Sequence, residues 1–122
     1  MTTRTLNLTR PIVCFDLETT GLETKTDRVV EISCVKIHTD MSRELLTLRI
    51  NPQMPIPQAA SAVHGITNED VSNEPTFDMV AGRLADFLSG CDLTGFNLER
   101  FDLPLLRNEF VRARITFPDG PV

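Results

Sequence analysis

The chain has 122 residues, 41% hydrophobic and 24% charged, which suits one globular domain with a single core and excludes a disordered chain. Its formal net charge of −5 excludes bulk attraction to nucleic acid, so such a partner has to be held locally, for instance through bound cations. No run approaches the roughly 20 apolar residues of a membrane span, so no membrane partner is expected. The N-terminus lacks the apolar stretch of a signal peptide. Cys14, Cys34 and Cys91, scattered and without a C-x-x-C pair, read as reduced, buried thiols of a cytoplasmic protein.

Residues 1–10 are polar without a period and read as a loose lead-in. Arg10-Pro11 then opens an apolar strand that ends in Asp16-Leu17-Glu18. Side chains on a strand alternate, so Asp16 and Glu18 point the same way. Paired carboxylates raise each other's pKa unless a cation lies between them, and Mg²⁺ or Mn²⁺ prefers such oxygen ligands. The alternative is an edge strand whose end carries solvated acids. Thr19-Thr20-Gly21 turns the chain, with Gly21 free to take φ > 0. Residues 28–37 and 43–50, rich in Val, Ile and Leu, predict two more strands joined by short turns, hence an antiparallel meander.

Residues 51–75 carry four prolines and read as mostly loop, ordered by their Ala, Val and Ile content, with a short helix that ends at Gly65. Phe77, Val80, Ala81, Leu84 and Leu88 recur at helical spacing and predict a helix over 76–89, capped by Thr76 and ended by Gly90. Residues 92–96 predict a short strand that buries its apolar residues beside the first. Residues 98–113 predict a second helix, in which Pro104 is harmless if the helix starts near Arg100. Asp102 then lies in the first turn, at the helix mouth, where the helix dipole alone would suffice to stabilise an acid.

The segment Phe15-Asp16-Leu17-Glu18-Thr19-Thr20-Gly21-Leu22 resembles the first motif of the DEDD-type 3′–5′ exonucleases. That family includes the proofreading epsilon subunit of bacterial DNA polymerase III. Asn97-Leu98-Glu99-Arg100-Phe101-Asp102 resembles its second motif, and Val63-His64-Gly65-Ile66-Thr67 matches a signature of the proofreading branch. The resemblance runs from about residue 10 to 117. It implies an α/β, ribonuclease-H-like fold: a mixed sheet that starts with three antiparallel strands, flanked by helices.

The resemblance also implies roles. Asp16, Glu18 and Asp102 would be catalytic and hold two Mg²⁺ or Mn²⁺ ions. Thr19, Thr20, Gly21, Leu22, Val63, His64, Asn97 and Phe101 would bind substrate, the 3′ end of single-stranded DNA or of RNA. A DNA polymerase subunit is an implied partner. The family's third motif, His-x₄-Asp, supplies a general base and a fourth carboxylate, yet no His follows His64. Residues 1–122 therefore read as a single, incomplete exonuclease domain, C-terminally truncated and inactive alone, with part of its sheet left uncovered. His38 reads as a surface residue and His64 as a substrate-side residue. Other classes are a non-catalytic nucleic-acid-binding or polymerase-tethered module of the same fold and an unrelated Mg²⁺ phosphohydrolase. Three clustered carboxylates beside phosphates favour the nuclease.

Overall fold

In the computed structural model, which describes residues 8–118, the chain folds around one mixed sheet. The lead-in expected over residues 1–7 lies outside the described residues. Strands β1 (Ile12–Thr19), β2 (Val29–Ile37) and β3 (Arg43–Arg49) form the expected antiparallel meander. A three-residue strand, β4 (Asp92–Thr94), pairs parallel to β1, giving the order β3-β2-β1-β4. The helices are α1 (Gln58–His64), α2 (Asn68–Val71), α3 (Phe77–Leu88) and α4 (Leu103–Ala113), with a π-helical turn over Leu98–Asp102.

Alternation along the strands sorts the side chains. Val13, Phe15 and Leu17 of β1 join Ile32 and Cys34 of β2 and Leu46 and Leu48 of β3 in one core. The apolar stripes of α3 and α4 close it, and Phe77 meets Phe110 edge-on at 5.4 Å between ring centroids. Fully burying each such side chain is worth about 1.5–3 kcal/mol. The same alternation turns Cys14 and Asp16 to the other face, where both are exposed. This corrects the reading of Cys14 as a core thiol: its sequence neighbours are apolar, but the period-2 pattern points it away from them. Cys34 and Cys91 are buried as expected.

A β-bulge between Glu18 and Thr19 opposes one residue of β1 with two of β2. As a result Val29 and Val30 are both buried, Val29 in the main core and Val30 in a second cluster with Ile56, Ile66 and Val71. That cluster anchors the segment carrying α1 and α2. Gly65 ends α1 at φ 77, and its amide bonds the Ser61 carbonyl. Thr67 and Asp70 close a reciprocal capping box on α2, an element absent from the sequence reading.

Three local expectations need correction. Thr76 precedes α3 but makes no cap bond to its backbone; its hydroxyl donates to the Asp78 carboxylate instead. Phe96 lies beyond the end of β4 and is fully exposed, because pairing with β1 stops at Thr94. Asp102 is not in the first turn of an α-helix from Arg100 but is the last residue of the π-helical turn, just before α4. In a continuous α-helix the Pro104 ring would crowd the Arg100 carbonyl, and the wider turn relieves that contact.

Candidate active site

Asp16 and Glu18 stand on the open face near the end of β1, opposite Ser33 and Glu31. Arg49 on β3 binds Glu31 at 3.0 Å, leaving Glu18 without that partner. Burial pushes the Glu18 carboxyl above its usual value, and the Asp16 charge pushes it further, with His64 opposing. Asp102 is 3% exposed. Pairing of β1 with β4 stops at Cys14, and beyond that point Asp102 accepts the Leu17 amide. Burial first, then the Asp16 charge, raise the Asp102 carboxyl to about 6, against the Leu17 hydrogen bond.

The three acids are thus brought into one electrostatic neighbourhood at one end of β1. Among the described residues, no three His, Cys, Asp or Glu side chains are gathered as a ready-made metal site. The donor chemistry nevertheless fits a hard divalent cation. The groups are carboxylate oxygens, and burial and like charge raise the proton affinity of two of them, Glu18 and Asp102, an effect that a cation would offset.

Beside the acids lies a pocket of ≈ 580 Å³. It brings together Glu18 and most of the expected substrate-side residues: Thr19, Thr20, Gly21, Leu22, Val63, His64 and Phe101. Leu22 and Val63 are 88% and 86% exposed, so the pocket presents apolar surface at its mouth. Asn97 is not among its lining residues; it lies in a separate shallow depression with Phe96, Glu99 and Arg100. Asp27, Pro57, Ala59 and Ala60 also line the pocket, and no sequence motif marks them. No periodic signal marks a loop acid such as Asp27.

The turn after β1 needs glycine for a reason other than the one expected. Gly21 has no positive φ. A Cβ there would fall on the Asp27 carboxylate, 2.9 Å from its Cγ. That carboxylate is fixed, since it accepts the Thr20 hydroxyl at 2.8 Å and the Glu23 amide at 2.9 Å. His64, the last residue of α1, donates from Nε2 to the Thr19 carbonyl at 3.0 Å and accepts the Ile66 amide on Nδ1 at 3.1 Å. With both nitrogens engaged, it ties α1 to the end of β1, and protonation at Nδ1 would break the Ile66 bond. His38 pairs with Glu44 at 3.0 Å.

The family model for exonucleases, RNase_T, matches residues 13–121. The chain belongs to the exonuclease family. It is 39% identical over 113 residues to a DNA polymerase III subunit epsilon-like protein of Rhodobacter capsulatus, covering 90% of this chain and 16% of that one. It is 33% identical over 111 residues to the 3′-5′ exonuclease DinG of Bacillus subtilis, covering 90% of this chain and 12% of that one. The chain thus spans a small part of these relatives' length. E. coli exonuclease I in complex with a dT13 oligonucleotide superposes with a TM-score of 0.78 at 20% identity, over 87% of this chain and 24% of that one. This likeness shows that the chain has the ribonuclease-H-like exonuclease fold, a mixed sheet flanked by helices. Among the described residues, no helix is long and apolar enough to cross a membrane.

Proposed function

We propose that this chain carries the site of a divalent-metal-dependent 3′–5′ exonuclease that removes nucleotides from the 3′ end of single-stranded DNA. The observation that carries the reading is the mutual electrostatic neighbourhood of Asp16, Glu18 and Asp102 beside an apolar-mouthed pocket. These three acids would hold two Mg²⁺ or Mn²⁺ ions, which when bound supply water activation and stabilisation of the leaving 3′ oxygen. Without cations the carboxylates would repel a phosphate.

The chain's own residues do the rest. The backbone of residues 19–22 holds the terminal nucleotide, while Leu22, Val63 and Phe101 offer apolar surface to its base and sugar. His64 fixes the wall between α1 and β1. Asn97, in its own depression, contacts the strand further from the end. His64 has both ring nitrogens engaged, and His38 follows the end of β2 that pairs with Ile12, the far end of β1 from Glu18. Neither is placed to take a proton from water at the acids, so the general base is not a histidine among these residues, and the chain alone is expected to be nearly inactive. The relatives' names support the direction of attack and a DNA polymerase partner, and the oligonucleotide complex of exonuclease I supports a DNA strand as substrate. The proposed setting is proofreading or repair in the cytoplasm.

The test is binding by the chain with Mn²⁺, measured with a 5′-labelled linear single strand. A circular strand of the same sequence serves as competitor. A site that reads a 3′ end binds the linear strand and is not displaced by the circle. Equal competition by the circle would overturn the reading.

A further inference from the structure

We infer that Glu109 is a positioning residue that clamps the loop after β1, so that its pocket-lining residues hold the 3′-terminal nucleotide against the acids. The inference rests on the nuclease reading above. Glu109 lies on the apolar stripe of α4, between Leu106 and Phe110, and is 1% exposed. Its Oε1 accepts from Nε of Arg28 at 2.8 Å and pairs with Nη2 of the same guanidinium at 2.8 Å, and its Oε2 accepts the Val29 amide at 2.8 Å. Arg112 approaches Oε1 at 3.5 Å.

Neighbouring positions of α4 reach the same loop. Asn108 donates to the Thr24 carbonyl at 2.9 Å, and Arg112 to the Lys25 carbonyl at 2.6 Å. The loop is itself closed, with the Thr20 amide bonded to the Arg28 carbonyl at 3.0 Å and Asp27 bridging Thr20 and Glu23. One side of it is therefore fastened to α4, while Thr20, Gly21, Leu22 and Asp27 line the pocket. Asp102 directly precedes α4, seven residues before Glu109, about 10 Å along a helix axis. One helix thus sets the distance between Asp102 and the nucleotide-holding loop.

Stability alone is a weak reason for this pair. A buried ion pair is often no more stabilising than apolar residues of similar volume, and position 109 is flanked by apolar neighbours that would accept one. Directional bonds to a backbone amide and a guanidinium do what apolar contact cannot: they fix the loop along and around the helix.

The test uses the 122-residue chain with Glu109→Gln, which keeps an acceptor for the Val29 amide but loses the charge. A second variant, Arg28→Lys, keeps the charge but lacks the two-pronged donor. Thymidine 5′-monophosphate affinity with Mn²⁺, Mn²⁺ affinity alone, and amide hydrogen exchange are measured for each. Loss of a charge-assisted hydrogen bond predicts that Glu109→Gln binds the nucleotide about tenfold more weakly, with Arg28→Lys between it and wild type. Mn²⁺ affinity should be unchanged, and exchange should accelerate in residues 20–27 but not in β1–β3. Nucleotide affinity equal to wild type alongside a lowered Tm makes the pair purely structural and overturns the inference. So does a parallel loss of Mn²⁺ affinity, or failure of both variants to fold. If wild type with Mn²⁺ binds no nucleotide, the nuclease reading itself fails, and the clamp loses its purpose with it.

Discussion

Asp102 is the residue whose environment departs furthest from water among the three acids. Its folded pKa of about 6 lies above the unfolded value, so the folded state binds the proton more tightly. The protonated group therefore favours folding below about pH 4, and that contribution is lost as pH rises through about 6. At pH 7 in EDTA the ionised carboxylate costs on the order of 3 kcal/mol, at about 1.4 kcal/mol for each tenfold gain in proton affinity between the usual value and about 6. Asp102→Asn, neutral throughout and still able to accept the Leu17 amide, should be more stable than wild type at pH 7 by up to that amount. At pH 4 the two should be alike. Urea unfolding at both pH values checks this, and an Asn variant no more stable at pH 7 would contradict it.

Thiol chemistry gives a second check at this scale. Burial pushes Cys34 up to about 12 and raises Cys91, whereas Cys14 is exposed on the open sheet face. A disulfide-exchange reagent should modify one thiol quickly in the native chain and all three after unfolding. Rapid native reaction of more than one would contradict the placement of β1.

At the scale of elements, the turn after β1 is held by Asp27, and Gly21 leaves room for its carboxylate. Gly21→Ala should destabilise the chain by about 1–3 kcal/mol, since Asp27 cannot swing away without losing Thr20 and Glu23. A change below about 0.5 kcal/mol in urea unfolding, the size usual for surface substitutions, would contradict that packing.

The long elements were legible in the sequence for physical reasons. The Val and Ile runs of β1 and β2 and the helical spacing of Phe77, Val80, Ala81, Leu84 and Leu88 are strong periodic signals. The shared face of Asp16 and Glu18 followed from the period of two. Short or long-range features were not legible. Thr67-x-x-Asp70 is a readable capping signature, but a four-residue helix has too few positions for a period. Phe96 was misplaced because a three-residue strand ends before it. The catalytic role of Asp102 is legible only through the resemblance, since its contact with the Leu17 amide joins residues far apart in sequence.

At the scale of the whole molecule, the sheet separates two tasks. One face is packed under α3 and α4 and supplies the stability. The other leaves Asp16 exposed and Glu18 half-buried near the pocket, with Asp102 reaching the same end of β1 from the π-helical turn. A chain of net charge −5 can bring a phosphodiester to such a place only with help from cations. The most direct test of the account is calorimetric titration of Mn²⁺ into the wild-type chain, Asp16→Ala and Asp102→Asn. Wild type should bind saturably, and each variant should lose binding or bind at least about tenfold more weakly. Equal binding by all three proteins would contradict a shared metal site at Asp16, Glu18 and Asp102.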